Sequence, residues 1–192
     1  MKLVFLAIFF VALFFAFVSC DKTSKGSSDN KKTDSLFLGI SLGMERNAFY
    51  DYCWEQNKKK FFTHGPTNQN VEYNLVNVLA EPVSMRFYPS FHKDKIFEMP
   101  VTFAYESWAP WNERFGADSL LTNLLPVFKK WYGDDFKELQ HPTMGVIYYK
   151  IDGKRRINLF KKDDQFVQAV FTDLKVEKHL KEEYARKLKT DQ

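Results

Sequence analysis

Cysteine is nearly absent from this 192-residue chain, with Cys20 and Cys53 the only two. So few cannot staple a small domain through a disulfide framework. Histidine is scarce as well. His64, His92, His141 and His179 never fall four apart on one helix face and never neighbour a cysteine. That spacing excludes the usual zinc-binding patterns, so no metal and no cofactor is expected. Charge of one sign is also in short supply. The chain carries 28 basic and 24 acidic side chains, a formal +4, and residues 1–19 hold one of the lysines and no acid. A surplus that small gives no electrostatic footprint for nucleic acid, and Lys58-Lys59-Lys60 and Lys154-Arg155-Arg156 read as solvated faces. Long apolar runs are missing except at one place, Leu3 to Val18, where 16 residues are apolar without interruption.

As a helix that run spans about 24 Å at ~1.5 Å per residue, short of the ~30 Å hydrocarbon core. Residues 1–19 therefore read as a signal peptide rather than a permanent span, and a single preceding lysine, Lys2, agrees with neither flank rule strongly. Phe17 stands where signal peptidase needs a small residue. Phe17-Val18-Ser19-Cys20 resembles a lipobox, the bacterial motif whose cysteine is diacylated and becomes the new N-terminus, with Phe17 in place of the usual leucine. The resemblance implies lipidation at Cys20, a membrane partner through that anchor, and a place in the bacterial cell envelope, on the periplasmic face or the cell surface. Two chains are what stable anchoring takes. Residues 20–34 follow as a tether: Asp21 to Asp34 contains no apolar side chain and cannot bury surface. With Cys20 acylated, Cys53 has no intrachain partner and reads as a small core residue on a helix stripe.

Residues 35–192 read as a single α+β domain. Residues 45–62 place Phe49, Tyr52, Cys53 and Gln56 at helical spacing. Three alternating runs follow: Val71, Tyr73, Leu75; Val83, Met85, Phe87; and Phe97, Met99, Val101, Phe103, Tyr105. Period two with one apolar face marks antiparallel strands covered on one side. The order then repeats. Residues 118–132 carry Leu120, Leu124, Phe128 and Trp131 at helical spacing, and Pro126 requires either a kink or a start near Asn123. Runs at 146–151, 155–160 and 166–172 come next, the first two separated by the hairpin signal Asp152-Gly153. A polar helix over 174–189 closes the chain. The expected architecture is two successive units, about 36–106 and 107–173, each a helix plus a three-strand antiparallel meander, in two layers, with the C-terminal helix appended.

Ile40-Ser-Leu-Gly-Met44 leading into a helix resembles the opening of small envelope lipoproteins of the SmpA/OmlA (BamE-like) type. Trp131-Tyr-Gly133 before a meander is similar to the helix end in tandem α/β repeats such as beta-lactamase-inhibitor-like domains. The likeness covers residues 36–62 and 118–172. It implies a binding or scaffolding module rather than an enzyme.

Gly39-Ile-Ser-Leu-Gly43 spells G-x-S-x-G, the nucleophile elbow of serine hydrolases, with Ser41 as the candidate nucleophile. An elbow needs parallel strands before it and an acid and a histidine after it on the same sheet. Here the strands come later and read as antiparallel, so the two glycines are expected to turn a strand into a helix. Glu98 and Glu106 bracket one strand but read as its polar face rather than as an acid–base pair. In Ser107-Trp-Ala-Pro-Trp-Asn112, Trp108 and Trp111 flank a stiffening proline and could stack on a sugar ring. The favoured expectation is that both fold inward and cap the seam between the halves. No catalytic residue is expected. The function expected is a non-catalytic envelope lipoprotein, a binding or scaffolding module for a protein or another ligand; a glycan-binding lipoprotein and a Ser41 hydrolase are its rivals.

Overall fold

A computed structural model describes residues 34–66 and 69–190. The expected signal peptide, Cys20 and nearly all of the expected tether lie outside the described residues. Among the described residues, three α-helices longer than one turn and nine strands make a mixed α+β fold in which the sheet dominates. The helices are α1 (Arg46–Lys58), α2 (Ala117–Tyr132) and α3 (Leu174–Thr190). The strands are β1 (Thr63–His64), β2 (Val71–Leu75), β3 (Val83–Phe87), β4 (Ser90–His92), β5 (Lys95–Tyr105), β6 (Lys137–His141), β7 (Gly145–Asp152), β8 (Arg155–Lys161) and β9 (Val167–Asp173). All strand pairs are antiparallel, in the order β1-β2-β3-β5-β9-β8-β7-β6, with β4 also on β5. The sheet is continuous through the β5–β9 pair, where Val101 faces Ala169 and Met99 faces Phe171.

Alternation decides the buried face. Met99, Val101, Phe103 and Tyr105 on β5 and Val167, Ala169 and Phe171 on β9 are all buried, whereas Glu98 and Thr102 are half-buried on the other side. Phe97 departs from expectation. The ladder slips between Ser90 and Phe91, so Ile96 takes the core position and Phe97 is left half-buried with its ring edge-on to His92. A bulge of this kind moves every residue beyond it to the opposite face. Pro100 sits where β5 changes partner from β4 to β3, between Glu98 and Val101, a gap in the ladder where a missing N–H costs least.

The helix α2 starts at Ala117, not near Asn123, and runs through Pro126 for 16 residues. Leu120, Leu124 and Phe128 are its buried stripe, each stabilising by roughly 2 kcal/mol when removed from water. Phe128 meets both Phe103 of β5 (5.8 Å) and Phe171 of β9 (6.4 Å), so α2 covers the seam rather than only the strands that follow it. Trp131, expected in the core, is 43% exposed, and Tyr132 packs on Phe171 instead. On α1, Phe49 is buried against Phe91, while Tyr52 reaches the sheet through Phe62 and Phe87. The third helix lies on the opposite face, where Glu177 pairs with Arg156 at 2.9 and 3.0 Å. Two expected layers are thus joined by part of a third. Asp173 caps α3, its Oδ1 accepting from the N–H groups of Lys175 and Val176. Its C-terminal end leaves Tyr184 and Leu188 exposed. No helix among the described residues is long and apolar enough to cross a membrane.

Candidate functional site: an apolar cleft beside a hairpin

Eight strands side by side at ~4.8 Å make a face on the order of 35 Å wide, and two helices of ~10 Å diameter cannot cover it. The chain fills part of the remainder with residues 35–41. They fold into a small hairpin, bridged between Ser35 and Ser41, with the Ile40 N–H donating to the Phe37 carbonyl at 2.8 Å. The two turn residues, Leu38 (φ +47°) and Gly39 (φ +78°), both lie in the left-handed region, as a type I′ turn requires. A Cβ on Gly39 would stand 2.9 Å from the Tyr52 hydroxyl, so glycine is needed for space as well as for φ.

The G-x-S-x-G motif is therefore a hairpin arm. Ser41 sits half-buried in it, ahead of α1 and outside the sheet, whose strand pairs among the described residues are all antiparallel. Among the described residues no histidine hydrogen-bonds to Ser41. His141 bonds to Thr143 and Met144, and His179 pairs with Glu183.

Three side chains from three elements hold the hairpin by its carbonyl oxygens. Tyr52 of α1 donates to Leu38 (2.5 Å), Tyr132 of α2 donates to Leu36 (2.9 Å), and Arg155 of β8 donates to Ser35. Buried carbonyls of an irregular segment need such partners. Arg155 is itself gripped by Asp152 through two bonds of 3.0 and 2.6 Å, and its guanidinium lies 5.2 Å from the Tyr132 ring centre. Burial pushes the Tyr132 phenol well above the ordinary tyrosine value, against the opposing pull of Arg155. The Phe37 ring drives into the sheet at 5.1 Å from Phe87 and 5.6 Å from Phe171.

Between this hairpin and the end of α2 an open cleft of about 880 Å³ remains. Leu75, Met85, Phe103 and Phe171 line it from the sheet, Phe128, Trp131 and Tyr132 from α2, Leu36 to Leu38 from the hairpin, and Val78 from the loop between β2 and β3. Its polar lining consists of Ser35, Lys130, Asp152, Arg155 and the tyrosines Tyr73 and Tyr132, beside the backbone of Gly133. A volume near the upper end of the ligand-pocket range, mostly apolar with a few polar groups, is the form small-molecule sites take.

The expected site residues lie elsewhere. Cys20 is outside the described residues. Trp108 is half-buried, and Trp111, at 86% exposure, does not fold inward as favoured. The turn Ala109–Asn112, closed by the Asn112 N–H on the Ala109 carbonyl, projects it outward. The two rings make no contact with each other. Glu98 is half-buried under α3, where burial and then Glu177 raise its pKa, whereas Glu106 is exposed in the turn after β5. Among the described residues no three His, Cys, Asp or Glu side chains are placed to hold a metal ion. Sequence reasoning missed the cleft because its lining is scattered over seven helices and strands, the hairpin and the loop that holds Val78. The single local signal was Leu38-Gly39, a leucine where such a turn favours asparagine. No family model, no curated protein and no solved structure matches this chain.

Proposed function

We propose that this protein is a non-catalytic, lipid-anchored binding module of the bacterial envelope, tethered through Cys20, and that the apolar cleft is its binding site. The cleft is the observation that carries the reading, because some 880 Å³ of mostly apolar space left open on a close-packed core face is costly unless something occupies it. Ser41 lacks the surroundings of a nucleophile, which favours binding over hydrolysis. On this reading the domain is two helix-plus-meander units, 36–106 and 107–173, fused through β5 and β9, with the hairpin linking tether to cleft. The resemblance of Ile40–Met44 to small envelope lipoproteins points the same way. Trp111 supports a second reading, a glycan contact at the exposed Ala109–Asn112 turn, because an 86%-exposed tryptophan is unusual without a partner.

Two measurements test the proposal. A fatty-acid probe should label the wild type, and Cys20→Ala should abolish labelling and release the chain from membranes. If the wild type takes no label, or the variant stays bound through an uncleaved N-terminus, the anchor fails. Organic extracts of the full chain purified from its own membranes should contain an apolar ligand that Val78→Trp, which narrows the cleft, depletes. Identical extracts from both would overturn the binding site.

A further inference from the structure

We propose that the cleft takes a long acyl chain ending in an anionic group, with Lys130 as the counter-ion at its mouth. The inference rests on the binding-module reading and names its ligand. The body of the ligand follows from the walls. Tyr132, Arg155, Asp152 and the hairpin carbonyls are spent on one another, which leaves Ser35 and Tyr73 as the neutral polar side chains of an otherwise apolar lining. A ligand with polar groups along its length would leave them unpaired against Phe103, Phe128 and Phe171, at about 1–3 kcal/mol each. A hydrocarbon chain meets no such penalty.

The head follows from charge. Arg155 and Asp152 cancel, which leaves Lys130 as the cleft's net charge, and Lys130 forms no ion pair among the described residues. It is exposed, on the last turn of α2, where the helix dipole of about half a charge also favours a cation. Lys129 occupies the same turn and does not line the cleft, so the dipole alone does not require both lysines. A lysine beside an apolar slot binds a carboxylate or phosphate as a point charge.

A free fatty acid and an anionic phospholipid share this chemistry, and the test separates them. The full chain, reconstituted in phosphatidylcholine vesicles, is irradiated with diazirine-bearing palmitic acid, diazirine-bearing hexadecanol, or phosphatidylglycerol with a diazirine acyl chain, and the labelled peptides are mapped. Palmitic acid or phosphatidylglycerol should label residues 73–78 and 128–133 at least fivefold more than hexadecanol. Whichever of the two labels more identifies the source. Lys130→Gln, with an unchanged melting temperature, should reduce the anionic probe to the level of the alcohol, and Val78→Trp, which narrows the cleft, should lower labelling by all three at least threefold. Equal labelling by acid and alcohol, unaffected by Lys130→Gln, overturns the anionic head and leaves the apolar site standing. Absence of cleft labelling by any probe, or labelling unchanged by Val78→Trp, overturns both.

Discussion

Leu38 carries a conformation that suits its turn poorly and a side chain that suits the cleft well. At φ +47° a branched residue costs about 1–2 kcal/mol relative to its ordinary backbone, and such strain persists where the surroundings fix the turn, as the Tyr52 bond to the Leu38 carbonyl does. Leu38→Asn should leave stability unchanged or raise it by up to about 1 kcal/mol in urea denaturation, while labelling of the cleft falls. Ile40→Ala, two residues on and buried, should cost about 2–4 kcal/mol in the same assay. Cys53 gives a second test at this scale. Burial pushes its thiol up to about 12 from 9.0, so the folded protein holds that proton longer than the unfolded chain. The resulting stability is complete below pH 9 and is lost as pH climbs toward 12. Cys53→Ala should flatten that alkaline loss, and the native thiol should resist Ellman's reagent at pH 8 yet react fully in urea.

Among elements, α2 and the junction beneath α3 make separate predictions. Pro126 interrupts the hydrogen bonding of an otherwise apolar-striped helix at an exposed position. Proline in a helix interior is roughly 3 kcal/mol less favourable than alanine, so Pro126→Ala should stabilise by about 1–3 kcal/mol in urea denaturation. Under α3, Glu98 is desolvated and faces Glu177, with Arg156 and Thr172 in partial compensation. A raised carboxyl pKa contributes its stability below the ordinary glutamate range and loses it as pH rises through the shifted value. Glu98→Gln should therefore raise the melting temperature at pH 7, and the difference should vanish at pH 3, where Glu98 is protonated folded or unfolded.

For the whole molecule the decisive fact is that α2 buries its stripe on both sides of the β5–β9 seam. Neither half can cover its own strands: residues 36–106 alone would expose Val101 and Phe103, and residues 107–173 alone would lose the partner of β9. Near-UV and far-UV circular dichroism should follow one coincident transition, and each half expressed alone should be unfolded. Two separated transitions would mean that the seam is a domain interface rather than a core.

Period-two runs and helical stripes were enough to place α1, α2, α3 and the strands β2, β3, β5, β7, β8 and β9, because side-chain direction alternates locally and needs no knowledge of the partner. Asp152-Gly153 likewise announced the β7–β8 hairpin, although the two loop residues are Gly153 and Lys154, with Gly153 at φ +58°. Short edge strands such as β1 and β4 escaped, having too few residues to show a period. The bulge that turns Phe97 away from the core escaped too, since it arises from pairing with Ser90 and Phe91 rather than from residues 95–105. Which strands join across the chain, which helix spans the seam and where the cover runs short are decided by contacts between residues as far apart as Ser35 and Arg155. The cleft exists only because a sheet eight strands wide outgrows the two helices and one hairpin laid upon it, and no local pattern encodes that shortfall.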